Sequence, residues 1–203
     1  MIEALKIDLA CGDRKKEGYY GVDIANLPEV DCVWDLQQYP WPIESNSVEE
    51  IHCVHYIEHI PHTNYKLELS ELLNNSTTFE EFKWKVQNSK PELDGLIKFL
   101  NEIYRILKPE GKVRLIAPYW ANMRAVGDPT HCRLIADQTW LYVNKTWMDE
   151  NRLSHYGLDC NFDVILSYLI TNEMTLKSEE VRNKAFTHDI NVIDDLIIDL
   201  VKK

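Results

Sequence analysis

Apolar positions near the start of the chain fall into short runs, and further on they fall into helical stripes. KIDLACG at 6–12, YYGVDI at 19–24 and VWDL at 33–36 are three runs, each closing on a small residue or a carboxylate. With VEEIHCV leading into His55 and KVRLIAP before Tyr119, they predict strands at residues 5–10, 19–24, 31–34, 49–54 and 112–117. Between the last two, Leu96, Phe99, Leu100, Ile103 and Leu107 repeat at helical spacing and predict a helix over 95–107. Strands alternating with helices read as α/β with a parallel sheet. The strand ends then share the carboxyl edge, where open α/β sheets bind nucleotides. A small residue there lets backbone approach a ligand. A carboxylate after the second strand accepts from both ribose hydroxyls, and a third polar end can meet an adenine amine.

The segment at about 61–95 is a long polar insertion where connections are usually short. Leu67, Leu69, Leu72 and Leu73 suggest a short helix in it. Thr78 and Glu81 fit a capping box, ahead of a stripe of Phe79, Phe82 and Val86. The insertion reads as a lid or as a surface decoration. NFDVILSY at 161–168 predicts a late strand paired with 169–176. Residues 178–187 and 189–201 predict two closing helices. Ile190, Ile193, Ile197, Leu200 and Val201 would give the last one an apolar face, packed on the sheet or used in a homodimer contact. The 203 residues read as a single domain, 1–203, with no repeats.

The net charge of -11 argues against sequence-independent nucleic-acid binding, which needs Lys and Arg on phosphates. No apolar run is long enough to span a bilayer, and MIEALKIDLA lacks signal-peptide character, so no membrane partner is expected. The five cysteines are odd in number and lack CxxC spacing; they read as reduced thiols of a cytoplasmic protein.

On Asp8, Ala10, Gly12, Asp23, Asp35, HYIEH at 55–59 and RILKPEGKVRLIAP at 105–118, the chain resembles the class I S-adenosylmethionine (SAM)-dependent methyltransferases, and among them small proteins of methyltransferase type 11. The resemblance covers roughly residues 5–120. It implies a Rossmann-like, mostly parallel sheet with an antiparallel edge strand in three αβα layers. It implies SAM as cofactor and S-adenosylhomocysteine (SAH) as product. Asp8, Leu9, Ala10 and Gly12 would line the methionine and sulfonium end, Asp23 and Ile24 the ribose, Asp35 and Leu36 the adenine. His55 would stand near the transferred methyl. The chain departs from the family in having a lone Gly12 between Ala10 and Asp13. Only Asp13 to Gly18 separate the first two strands, which reduces the usual first helix to a turn.

Histidine titrates near neutral pH, so His55, His59 and His131 are the candidate bases. Glu58, Tyr119, Trp120 and Arg133 are candidate acceptor contacts, Arg133 for a carboxylate or phosphate. Each has a structural alternative. Glu58 and His59 could hold the strand end, and GDPTHCR at 127–133 could be a self-contained turn and cap. His52, His55, His59 and His62 recur at three, four and three residues, but His52 belongs to a strand and Pro61 interrupts a helix. No metal is assigned. HYIE stands where enzymes that methylate amino groups on bases or glutamine carry a DPPY-type tetrad. The reading is methyl transfer to a small-molecule or sugar-containing acceptor. The alternatives are a non-catalytic scaffold on the same fold, or another nucleotide ligand. Against a dinucleotide, GxGxxG is absent.

Overall fold

A computed structural model describes residues 6–63, 65–88 and 93–203, with residues 65–68 given by main chain alone. Residue 5 of the first predicted strand and the Leu67 side chain lie outside the described residues. The early runs form strands β1 (Lys6–Leu9), β2 (Tyr20–Asp23), β3 (Cys32–Val33) and β4 (Val48–Val54), and β5 is Leu107–Pro118. All five pair in parallel, in the order β3-β2-β1-β4-β5. The pairing of β4 with β5 jumps from Val48↔Leu107 to Glu50↔Lys112. KPEGK is therefore absorbed as a bulge, with Glu110 in left-handed backbone.

The insertion forms helices α1 (Tyr65–Asn74) and α2 (Phe79–Asn88), and α3 is Gly95–Ile106. The capping box is offset by one residue: Glu81 N–H donates to Thr78 Oγ1, but the Glu81 carboxylate accepts from Thr77. Helix α2 buries none of its side chains, and Phe79 and Trp84 face solvent. On α3 the expected stripe is buried, and Asp94 caps its first turn by accepting from Leu96 N–H at 2.8 Å. Phe99 sits edge-on against Trp41 and tilted against Tyr56, in the core over the sheet.

Four short helices follow: α4 (Met123–Gly127), α5 (Lys145–Glu150), α6 (Asn172–Thr175) and α7 (Glu179–His188). Strand β6 (Phe162–Ile170) forms as expected, but residues 172–175 are helical and do not pair with it. Its partner is β7 (Ile193–Lys202), which also pairs antiparallel with β5. The closing helix expected at 189–201 is therefore a strand. Leu196, Ile198, Leu200 and Lys202 are buried while Ile197, Asp199 and Val201 are partly exposed, a period of two. The face read as a packing or dimer surface is spread over both sides of the sheet. The sheet has seven strands flanked by helices, in the order β3-β2-β1-β4-β5-β7-β6, with its antiparallel strand second from the edge.

Lys202 ends β7 inside the protein. Its Nζ donates to Asn46 Oδ1 and to the Tyr104 and Leu107 carbonyls, and stands 4.4 Å from the Tyr104 ring. It satisfies carbonyls at the C-terminal end of α3, and burial lowers its pKa. Lys202→Met should destabilise the protein by about 1–3 kcal/mol in urea denaturation, because two buried carbonyls lose their partner.

Candidate active site

The carboxyl edge of β1 and β2 forms a tight cradle. After Leu9 the backbone turns left-handed at Ala10 and again at Gly12. Gly12 N–H donates to Asp23 Oδ2 at 2.9 Å, and Ala25 N–H donates to Asp23 Oδ1 at 2.8 Å. Each Asp23 oxygen keeps a further lone pair, and the residue is half-buried. No helix follows β1; residues 10–19 run as turns. The short loop doubles back, so that Lys16 N–H donates to Asp8 Oδ2 at 2.7 Å, while Asp8 Oδ1 pairs with His52 Nδ1 at 2.9 Å. The buried Asp8 carboxylate thus ties the loop to β4 instead of presenting itself at the edge. The Leu9 and Leu36 side chains are in the core, so any part they take in ligand contact is through backbone. Ile24 is exposed, and Asp35 Oδ1 accepts from Gln37 N–H at 2.9 Å. Burial, with Asp8 and Asp23 nearby, pushes the Cys11 thiol up to about 11, which makes it inert.

His55 follows β4 in left-handed backbone, its N–H donating to the Ile116 carbonyl of β5. Its ring lies between two carboxylates: Nδ1 is 3.3 Å from Glu58 Oε1, and Nε2 is 3.9 Å from Asp195 Oδ1. Glu58 most of all, with Asp195, raises the His55 pKa against the opposing effect of burial. The imidazole is a stronger base than usual but less of it is free at neutral pH. Asp195 was not visible as a site residue, because its segment read as a helix. It is buried on β7, with Arg124 Nη1 at 3.2 Å from Oδ1.

The GDPTHCR segment packs against the turn after β4. Cys132 N–H donates to the Glu58 carbonyl at 2.7 Å, and the His59 and His131 rings meet edge-on, centroids 4.7 Å apart. His55, Glu58, His59 and His131 thus come together, with Pro118, Arg124, Gly127 and Asp128, around a cleft of about 330 Å³. The other acceptor candidates do not line it. Tyr119 is buried and donates to Asp137 Oδ2 at 3.2 Å; Trp120 is half exposed. Further along the chain, Trp140 and Met148 are core.

Arg133 needs correction. The sequence assigns its guanidinium to an acceptor anion. In the structure it is spent internally: Nε donates to the Ile60 carbonyl at 2.9 Å and Nη1 to Asp94 Oδ1 at 2.9 Å. Asp94 also pairs with His62 Nδ1 at 2.6 Å, and Gly95 N–H donates to the His62 carbonyl. These bonds form a neck that ties the two ends of the insertion together. With His52 on Asp8 and His62 on Asp94, the four-histidine set does not assemble. No described residue of the insertion lines the cleft; α1 instead borders a groove of about 970 Å³ with Gln37, Tyr39 and Lys98.

No protein-family model matches the sequence, and no curated protein matches it. Solved structures match in fold. A SAM-dependent methyltransferase from Archaeoglobus fulgidus is 18% identical, with a TM-score of 0.57 over 97% of this chain and 85% of its own. The YcgJ protein from Bacillus subtilis is 13% identical, with a TM-score of 0.50 over 99% and 92%. At such identities the likeness is one of fold. Among the described residues, no helix is long and apolar enough to cross a membrane.

Proposed function

We propose that this chain, which has the class I methyltransferase fold, moves a methyl group from SAM to a small polar acceptor seated in the His55–His131 cleft. The observation that carries the reading is the double left-handed turn at Ala10 and Gly12, hydrogen-bonded to Asp23 at the carboxyl edge. It leaves bare backbone for the methionine end and free carboxylate lone pairs for the ribose. Methyl transfer is an in-line displacement in which the cofactor supplies the reactive carbon, so the protein's work is alignment and proton removal. Imidazoles and carboxylates around a small cleft suit a hydroxyl-bearing acceptor, a sugar-containing metabolite included. The insertion, bordering the groove beside the Asp35 loop, would act on the adenine end if it closes as a lid.

One observation favours a second reading, a binding protein without turnover: no helix backs the cradle after β1. Calorimetric titration with SAH, paired with transfer of tritiated methyl from SAM to pooled acceptors, separates the two. Saturable SAH binding with label appearing in product supports the enzyme. Binding with the cofactor recovered intact across the pool supports the binding protein. No SAH binding removes both.

A further inference from the structure

We propose that Glu58, His59 and His131 form a divalent transition-metal site at the floor of the cleft. One donor atom from each lies within 4.8 Å of the others. Donors about 2.1 Å from a shared ion stand roughly 3.4 Å apart, so rotation of the two rings by about an ångström closes the set. Glu58 is 1% exposed, and among the described residues the nearest donor to its carboxylate is His55 Nδ1, a long 3.3 Å from Oε1, which leaves the rest of the carboxylate unsatisfied. A buried carboxylate left so is costly, and a cation would satisfy it.

The imidazoles point the same way. His131 Nδ1 lies 2.9 Å from the Ala125 carbonyl, which can only accept, so Nδ1 carries the proton and Nε2 a lone pair. Thr130 Oγ1 donates to Asp128 Oδ1 at 2.6 Å and accepts from His59 Nδ1 at 3.0 Å, which sets the same tautomer in His59. Rings held by a carbonyl and by a carboxylate-backed hydroxyl are the outer contacts that metal-bound histidines make. Two imidazoles and one carboxylate with open positions suit zinc, cobalt, manganese or ferrous iron.

The consequence for the acceptor rests on the proposed methyl transfer; the metal site does not. An ion here would bind an acceptor hydroxyl, ideally one of a vicinal pair, and lower its pKa. The hydroxyl releases its proton to water. Its oxygen then forms the bond to the methyl carbon as the carbon–sulfur bond breaks, and sulfur keeps the electron pair as a neutral thioether.

The test uses the full chain freed of metal by chelation, titrated with cobalt(II) and zinc(II) by absorption and calorimetry. One ion per chain is expected, with visible cobalt bands and no thiolate charge-transfer band. Glu58→Gln and His131→Ala should each weaken binding at least 30-fold, about 2 kcal/mol. Absent 1:1 binding, a thiolate band implicating Cys132, or unchanged affinity in both variants would overturn the site. The cobalt spectrum of the wild type judges the ligands even if a variant fails to fold. SAH titration of the same sample keeps the two readings apart: a protein that binds SAH but takes up no metal removes this site alone, and one that takes up metal but binds no SAH removes the methyltransferase reading alone.

Discussion

Asp23→Ala should lower SAH affinity by roughly 100- to 1000-fold. A ribose presents two hydroxyls, and each hydrogen bond to a charged carboxylate contributes about 1.5–2 kcal/mol, giving about 3–4 kcal/mol for the pair. A second loss adds to it, because Gly12 N–H and Ala25 N–H both donate to this carboxylate. Without it the left-handed turn at Gly12 loses its restraint. Asp23→Asn separates the contributions: the amide keeps one acceptor oxygen and loses the charge, so an intermediate loss of about tenfold is expected. Asp23→Ala should also lower stability by about 1–2 kcal/mol, because two partly buried backbone N–H groups lose their acceptor, and Asp23→Asn by less. Calorimetry with SAH reads the effect. Wild-type affinity in Asp23→Ala would mean that the ribose, and the cofactor with it, sits elsewhere.

The largest loss of stability outside the hydrophobic core is expected from Arg133→Met. The Arg133 side chain is 10% exposed, and its removal leaves the Ile60 carbonyl unpaired and Asp94 without its guanidinium. Breaking a buried pair costs about 3–5 kcal/mol; Asp94 keeps some contact with water, so about 2–3 kcal/mol is the expectation here. For a chain of this size that is a fall in Tm of about 4–12 °C. Arg133→Lys should recover little, since an ammonium cannot span both the carbonyl and the carboxylate. SAH affinity should stay within about threefold of wild type, because the cradle lies on other strands. If stability held and turnover with an anionic acceptor fell instead, Arg133 would return to the substrate site.

Much of the cradle was legible because a strand's exit residue reports its job. Gly12 and Asp23 stand where a parallel sheet ends, and short-range pattern finds such ends. The last strand was not legible, for a physical reason. Ile193, Ile197, Leu200 and Val201 satisfy a helical stripe, while Leu196, Ile198 and Leu200 satisfy alternation. Only pairing with β5 and β6 chooses between them, and those partners are distant in the chain. Asp195 was hidden by the same ambiguity. Asp8 was placed at the cofactor by resemblance, but the missing helix after β1 brings Lys16 back onto its carboxylate. Arg133 looked free because its partner, Asp94, stands 39 residues earlier at the end of the insertion, so proximity in sequence carried no hint. His59 and His131 met only through folding; no spacing rule joins residues on two separate loops.

The neck at His62 and Asp94 has a consequence for how such a protein changes over generations. A segment that enters and leaves at one point adds almost nothing to the sheet's strain, and closing a longer or shorter loop there costs little entropy. The stretch between is a graft site. Lineages could swap its helices for others, or trim them to a short turn, without repositioning the cradle or the cleft. Novelty in partner choice would then accumulate there, while Arg133 and Asp94 remain the hinge post on which each replacement is hung.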